Sequence, residues 1–305
     1  MNPPQPFYLA GPTASGKSAV AVELARLGNA EIVNADAFQL YAGLTILTAQ
    51  PPTSATLEVP HHLYSTVPIS EPLDAAAYAT LARPVIAEII GRNKTPLVVG
   101  GSGLYLKALT HGLSDIPKPD PTLRAELAAS PLDQLVSRLR QLDPDGADQI
   151  NLKNPRYVQR AVEICLLTGK PASVVKAAWQ SSPPPSVNAA CLTFADRQHL
   201  YDRINDRTLA MLDSGAIDEV AAATGQSITA AKAIGFREIR AYQAHQLTLE
   251  EAIEAIQQAT RRYAKRQLNW FRRESVFQTI CLDRTDDASS AASKIAARFP
   301  ALFSQ

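Results

Sequence analysis

The stretch GPTASGKS, Gly11–Ser18, constrains this chain more than any other. It follows a short apolar run, Phe7–Ala10, and immediately precedes an alanine-rich helical pattern. A glycine, four residues and then Gly-Lys-Ser is the spacing of a loop whose backbone N–H groups wrap phosphate oxygens at a helix N-terminus. Gly11 and Gly16 permit the tight turn and close backbone approach, Lys17 supplies a point charge, and the Ser18 hydroxyl is the Mg²⁺ ligand of such loops. Pro12, Thr13, Ala14 and Ser15 complete the loop. The pattern points to a phosphate compound without saying which one.

Apolar runs and helical patterns alternate over the first hundred residues, which predicts parallel strands joined by crossover helices. The readable pieces are FYLAG (7–11), a helix from Lys17 to about Leu27, EIVNAD (31–36), a helix from about Ala75 to Arg92, and PLVVGGSG (96–103). Lys17, Asp36 and Ser102 then fall at strand ends or in the loops after them, where open α/β sheets bind ligands. Between Asp115 and Pro185 strand signals vanish, and patterns such as PLDQLVSRLRQL and NPRYVQRAVEICLLTGK read as helices. Proline-rich DIPKPDP and SSPPPS border this region, which reads as a helical insertion domain. Beyond it come a strand-like NAACLTFA (188–195), long helices from about Arg197 to Ala223 and from Thr248 to about Glu274, and a last strand SVFQTICL (275–282). The expected organisation is a parallel-sheet core over 1–114, the helical insertion over 115–187, and a continuation of the core with a basic helix over 188–305.

Composition excludes several functions. With 30 Lys and Arg against 29 Asp and Glu, the net charge is +1, so nucleic acid binding requires a local patch. Cys165, Cys191 and Cys281 are far apart and odd in number, which fits buried thiols in a reducing cytoplasm rather than a disulfide framework. No basic-then-apolar leader opens the chain and no apolar run approaches eighteen residues, so neither secretion nor membrane spanning is expected.

Four further clusters carry chemistry. Asp36 closes the second apolar run; a carboxylate there can ligate metal, orient a hydroxyl, act as a general base, or merely cap the next turn. Ser102, in GGSGLY, is a possible helix cap. Arg203 and Arg207 share one helix face at i and i+4, which suits an anion but equally a solvated face paired with Asp202 and Asp206. In RRYAKRQLNWFRR (261–273), six of thirteen residues are basic, interleaved with Tyr263, Trp270 and Phe271. That makes a plausible surface for single-stranded RNA, or a solvated helix whose aromatics face the core. The adjacent His61 and His62 lack partners at metal-ligand spacing and read as structural.

In order along the chain, GPTASGKS, VNADAFQLY, HHLY, VVGGSGLYLKAL, RAVEICLLTGKPAS, LYDRINDRTLAMLDSGAIDEV, AIGFREI and RRYAKRQLNWFRR resemble the tRNA dimethylallyltransferases, also called tRNA isopentenyltransferases, over nearly the whole length. The resemblance implies a P-loop NTPase-like core and transfer of a dimethylallyl group from dimethylallyl diphosphate to N6 of the adenosine 3′ of the anticodon, in tRNAs reading codons that begin with U. By motif position it implies that Thr13, Lys17 and Arg207 contact the diphosphate, with Ser18 near Mg²⁺ and Asp36 as the base. It further implies that Asp36, Ala37, Phe38 and Gln39 meet the flipped-out nucleotide. Ser102, Arg156, Arg160, Lys232, Arg237, Lys265, Arg266, Gln267 and Arg272 would meet tRNA. The family commonly reads Asp-Ser-Arg-Gln where this chain has Asp36, Ala37, Phe38 and Gln39, and Tyr157 stands where many members have Arg. No zinc finger of the eukaryotic kind follows, so a bacterial-type cytoplasmic enzyme, with nothing arguing for an obligate oligomer, is implied. A small-molecule kinase, a prenyltransferase of free adenine nucleotides and a non-catalytic RNA-binding module are the rival readings.

Overall fold

The computed structural model describes residues 3–112, 120–180 and 186–303, the side chains of 178–180 excepted. Six strands, β1 (Phe7–Ala10), β2 (Ala30–Asn34), β3 (His61–His62), β4 (Thr95–Gly100), β5 (Asn188–Phe194) and β6 (Gln278–Leu282), form one sheet in the order β3-β2-β4-β1-β5-β6. Every pairing is parallel. The chain is therefore an α/β protein with crossover helices on both faces of its sheet, as the alternating pattern predicts.

Successive side chains of a strand point to opposite faces. Tyr8, Ala10, Val33, Val98 and Cys191 join one buried cluster, while Phe7, Leu9, Ile32, Val99 and Leu192 join the other. The continuous apolar runs that mark these segments in the sequence follow from this burial on two sides. The second face is covered by the helices Lys17–Leu27 and Ala288–Arg298, the latter followed by a short turn of helix, Pro300–Phe303. Phe299 and Phe303 meet the Phe7 ring edge-on, with centroids 4.9 and 5.2 Å away.

Contacts divide the chain into two compact units, Met1–His111 with Pro185–Gln305, and Gly112–Pro184. The second has its own core, built from Leu127, Leu135, Leu139, Val158, Val162 and neighbours on five short helices. Its buried Glu163 binds Arg124 at 2.9 Å and Arg160 at 2.5 Å. The proline-rich borders expected at DIPKPDP and SSPPPS fall largely outside the described residues.

Several elements differ from the sequence reading. The helix expected from Arg197 to Ala223 ends at Asp213, because Gly215 adopts φ 99° and a second helix, Ala216–Ala222, starts there. The last strand begins at Gln278 rather than at Ser275, since Phe277 N–H closes a turn on the Glu274 carbonyl and its ring packs on Phe271. The His61–His62 pair, expected to be structural, forms the edge strand. His62 Nε2 contacts Glu31 at 2.7 Å, and Arg92 and Lys94 reach the same carboxylate at 2.7 and 3.2 Å. Burial pushes the Glu31 carboxyl up, but hydrogen bonds from Arg92, His62 and Lys94 outweigh it and hold it at about 2.

Candidate active site

The loop Gly11–Gly16 joins β1 to the helix Lys17–Leu27 at the carboxyl end of the sheet, with β4 on one side and β5 on the other. Chain connections diverge between β1 and β4, the kind of position at which open α/β sheets bind ligands. Gly16 caps the helix with φ 84°, and a Cβ there would lie 3.0 Å from the Arg203 guanidinium. Arg203 donates from Nε to the Ala14 carbonyl at 2.8 Å, so one of the paired arginines braces the loop. The other, Arg207, lines the cavity in front of it, with Lys17, Ser18 and Asp36. That helix face thus turns inward; Asp202, the partner expected for a solvated face, instead binds Gln198 and lies 3.5 Å from Arg284.

The cavity holds about 720 Å³ and reaches from Thr13–Ala19 to Asp36, Gln39 and the segment Thr48–Pro52. Burial lowers the Lys17 ammonium to about 8, against the opposing pull of Asp36 and with further lowering from Arg207. Burial also lowers Arg207, with Asp36 resisting. Tyr263 is held above the ordinary tyrosine range first by burial and then by Asp36. The Asp36 carboxylate therefore acts on Lys17, on Arg207 and on a tyrosine of the basic helix. Lys17 itself donates to the Pro12 carbonyl at 2.8 Å.

Asp36 follows β2 and is fixed from both sides. Its N–H donates to Asn34 Oδ1 at 2.8 Å, and its own Oδ1 accepts from Phe38 N–H at 3.0 Å. It is both turn-forming and open to the cavity, so the capping role and the chemical role coexist. Ser102 sits at the cap of the helix Gly103–Thr110 without capping it; its Oγ accepts from Ala37 N–H at 2.9 Å and ties the Asp36 turn to β4. Gln39 Nε2 donates to the Thr48 and Ala49 carbonyls, both at 3.0 Å, and fixes the opposite wall.

Gln267 is 4% exposed on the helix Leu249–Phe271. Its Oε1 accepts from Thr13 N–H at 2.8 Å and its Nε2 donates to the Gly101 carbonyl at 3.0 Å. A Cβ at residue 101 would stand 2.1 Å from that Nε2, so the second glycine-rich turn is needed for this bridge. The aromatics of the basic helix also face inward: Phe271 is buried, Trp270 packs against Gly103, and Tyr263 reaches Ser102 and Gln267. Lys265, Arg266, Arg272 and Arg273 remain exposed, as do Lys232 and Arg237. In the helical unit Arg156 is exposed, whereas Arg160 is committed to Glu163.

Some participants had no sequence signal. Glu219 accepts from Thr45 Oγ1 and from the N–H groups of Ile46 and Leu47 at 2.9, 2.9 and 2.7 Å, fixing the loop that walls the cavity. Tyr64 also lines it and is raised by burial and by Asp36. No pattern links residues this far apart in the chain. Cys165 and Cys191 are buried and free; burial pushes the Cys191 thiol up to about 12, which makes it inert.

A phosphate-loop pattern at a strand-to-helix turn, two half-buried cations and a facing carboxylate define an α/β phosphate-loop protein equipped for transfer chemistry. Residues 39–274 match the family described as IPP transferase. The chain belongs to the IPP transferase family. A relative from Akkermansia muciniphila named tRNA dimethylallyltransferase is 40% identical over 289 residues, 95% of this chain and 97% of the relative. Another of that name, from Rhodospirillum centenum, is 42% identical over 88% of each chain. The crystal structure of a full-length tRNA isopentenylpyrophosphate transferase from Bacillus halodurans superposes with a TM-score of 0.69 at 34% identity, covering 97% of this chain and 98% of that one. A eukaryotic dimethylallyltransferase acting on tRNA superposes at 0.80 and 27% identity, covering 97% and 77%. Among the described residues no helix is long and apolar enough to cross a membrane.

Proposed function

We propose that this protein transfers a dimethylallyl group from dimethylallyl diphosphate to N6 of the adenosine 3′ of the anticodon, in tRNAs reading codons that begin with U, acting as a monomer in the cytoplasm. The observation that carries this reading is a cationic phosphate loop and a fixed carboxylate, Asp36, open to one cavity. Its relatives' names supply the substrate class.

In the reaction the allylic C–O bond breaks and leaves diphosphate, a C–N bond forms to N6, and the N6 proton passes to Asp36. The charge to be stabilised develops on the departing diphosphate, so preorganised positive charge is the largest catalytic effect. Lys17 and Arg207 supply that charge. Of the loop amides, Thr13 N–H is already spent on Gln267, so it braces the loop rather than serving the leaving group. N6 becomes acidic only as the new bond forms, and a positioned base contributes about 10²–10⁴-fold. Asp36 suits that role because its turn bonds keep it aimed at the cavity. The acceptor adenosine must leave its stack to reach it, at a cost of roughly a few kcal/mol.

Ser18 lines the cavity beside Lys17, while the described residues offer no cluster of three His, Cys, Asp or Glu that would hold a metal alone. This fits Mg²⁺ held by Ser18 together with diphosphate oxygens, where it would neutralise leaving-group charge. Arg156, Lys232, Arg237, Lys265, Arg266 and Arg272 are the exposed cations we assign to tRNA phosphates. Arg160 contributes there only by giving up Glu163, and Gln267 acts from behind the loop.

The test is incubation with dimethylallyl diphosphate, Mg²⁺ and total tRNA, followed by mass spectrometry of the nucleosides. N6-dimethylallyladenosine formed without ATP supports the reading; ATP hydrolysis or phosphorylation without RNA would replace it with a kinase.

A further inference from the structure

The sheet ends at β6, and over its β5–β6 edge lies a separate cavity of about 280 Å³ that shares no lining residue with the space around Lys17 and Asp36. Its floor is apolar, from Leu200, Leu268 and Phe271, and the half-buried Phe194 ring stands in its wall. Two exposed arginines from different elements line the same space, Arg197 at the start of the helix Arg197–Asp213 and Arg272 just past the end of Leu249–Phe271. Neither guanidinium has a partner among the described residues. We infer that this cavity receives one unstacked base of the bound RNA, from a nucleotide other than the acceptor adenosine, with Arg197 and Arg272 on the flanking phosphates; the assignment rests on the function proposed above.

Charge fixes the sign of the ligand. No carboxylate lines the cavity, and the acids adjacent to its arginines in sequence are spent elsewhere, Asp196 on Arg284 at 2.7 Å and Glu274 on Lys107 at 2.9 Å. An anion there meets two unpaired cations whose planar forks suit phosphate oxygens. The floor asks for a flat apolar body as well, which a base stacked on Phe194 and Leu268 supplies. Hydroxyls meet its polar edge. Thr279 pairs with Cys191 across the two strands, and Thr193 lies two residues beyond Cys191 on the same face, so both threonines turn to one space. Thr193 Oγ1 reaches the Ile280 carbonyl only at 3.5 Å, and Thr279 Oγ1 has no partner among the described residues. A hydroxyl both donates and accepts, so the pair can serve the edge of any base. At about 280 Å³ the space lies at the small end of ligand pockets, roughly 300–1,000 Å³, and takes a single base.

The surroundings favour a chain over a free nucleotide. Arg261, Lys265, Leu268 and Arg272 recur at helical spacing and share one face of the basic helix. Arg261 is bound to Asn205 at 2.9 Å, whereas Lys265 is exposed. At 1.5 Å per residue Lys265 and Arg272 stand about 10 Å apart along the axis, with the cavity at the Arg272 end. A mononucleotide engages one end of such a row; a polynucleotide follows the row and turns one base in. The floor also supports the phosphate loop, because Leu200, Leu268 and Phe194 pack in the small cluster that takes Ala14. Variants that test the cavity therefore alter its rim and leave its floor alone.

The experiment uses the full chain and an anticodon stem-loop RNA of the class proposed above, carrying a photoreactive thiolated base at each loop position in turn except the acceptor. Mass spectrometry after irradiation maps the crosslinked residue, and one loop position should crosslink to the peptide carrying Phe194 or Leu268. Thr279→Trp, which fills the cavity from the exposed edge strand, should abolish that crosslink and weaken RNA binding about tenfold with the salt slope unchanged. Arg197→Ala should weaken binding and reduce the log–log salt slope by about 0.7. Both variants should keep the KM for dimethylallyl diphosphate. The absence of a crosslink to the cavity from every loop position overturns the assignment, as does a folded Thr279→Trp that binds RNA like the unaltered chain. A free mononucleotide that displaces the crosslink without releasing the RNA also overturns it, because the cavity would then serve free nucleotides. Transfer to the same stem-loop is measured in parallel. If the unaltered protein transfers no dimethylallyl group, the function itself fails, a result distinct from transfer without a crosslink.

Discussion

Lys17 is charged at a cost. Burial lowers its ammonium from the usual 10.5 to about 8 even with Asp36 beside it. Between those values the folded chain binds fewer protons here than the unfolded chain, so this residue's contribution to stability rises as pH climbs from 8 to 10.5. Below pH 8 its burial cost is in full force. A bound diphosphate reverses the balance, because a new anion favours the charged form. Lys17 should therefore take up more of a proton on diphosphate binding at pH 9 than at pH 6.5. Calorimetric titrations in buffers of different ionisation enthalpy read that uptake, and Lys17→Met should abolish the difference. Asp36 calls for a variant that separates chemistry from folding. Asp36→Asn keeps an oxygen for the Phe38 N–H and removes the base. Transfer should fall at least about a hundredfold with tRNA affinity nearly intact; near-normal turnover would take Asp36 out of the mechanism.

The strands, the phosphate loop and the Asp36 turn were legible because each is a local pattern: an apolar run, a glycine spacing, a polar residue at the run's end. What was not legible comes from pairings remote in sequence. Gln267 lies 254 positions from Thr13 and looks like one more polar residue in a basic run, yet it bridges two glycine-rich turns. Interleaved aromatics look the same whether a helix offers them to RNA bases or buries them; the 3.6-residue period sends Phe271 inward with Gln267 and leaves Lys265, Arg266 and Arg272 outside. Position 102 reads as a cap because serine favours caps, but its hydroxyl found the Ala37 N–H instead. These placements separate two effects within one helix. Gln267→Leu leaves Thr13 N–H without its acceptor and should raise the donor KM about tenfold, with the salt dependence of tRNA binding unchanged. Arg266→Ala or Arg272→Ala should do the reverse, weakening tRNA binding and reducing its log–log salt slope by about 0.7–0.9. Unchanged slopes in both arginine variants would make the exposed stripe a solvated face.

The molecule as a whole is almost neutral, so it cannot gather a polyanion by net charge, and its exposed cations must act through their local concentration. Its architecture also separates two cores. The sheet clusters share no member with the cluster built on Leu127, Leu139 and Val162, so the two need not melt together. Asp143 gives access to the smaller one. It is 1% exposed, and its carboxylate accepts from Gly146 N–H at 2.9 Å, Ser173 N–H at 2.7 Å and Ser173 Oγ at 2.6 Å. Burial pushes this carboxyl up, but the bonds from Ser173 and Gly146 outweigh it and hold it below the usual 3.8. Its folded value is depressed, so the stability it contributes is present above pH 3.8 and is lost as pH falls through the folded value. Asp143→Ala leaves those donors without their acceptor, at a cost of about 1–3 kcal/mol for each that stays buried and unpaired. At neutral pH that loss should fall on the unit Gly112–Pro184, giving a separate low-temperature transition in calorimetry while diphosphate binding by the loop persists. At pH 3 the variant and the unaltered chain should lie closer together. One transition, lowered as a whole, would mean that the two cores unfold as one.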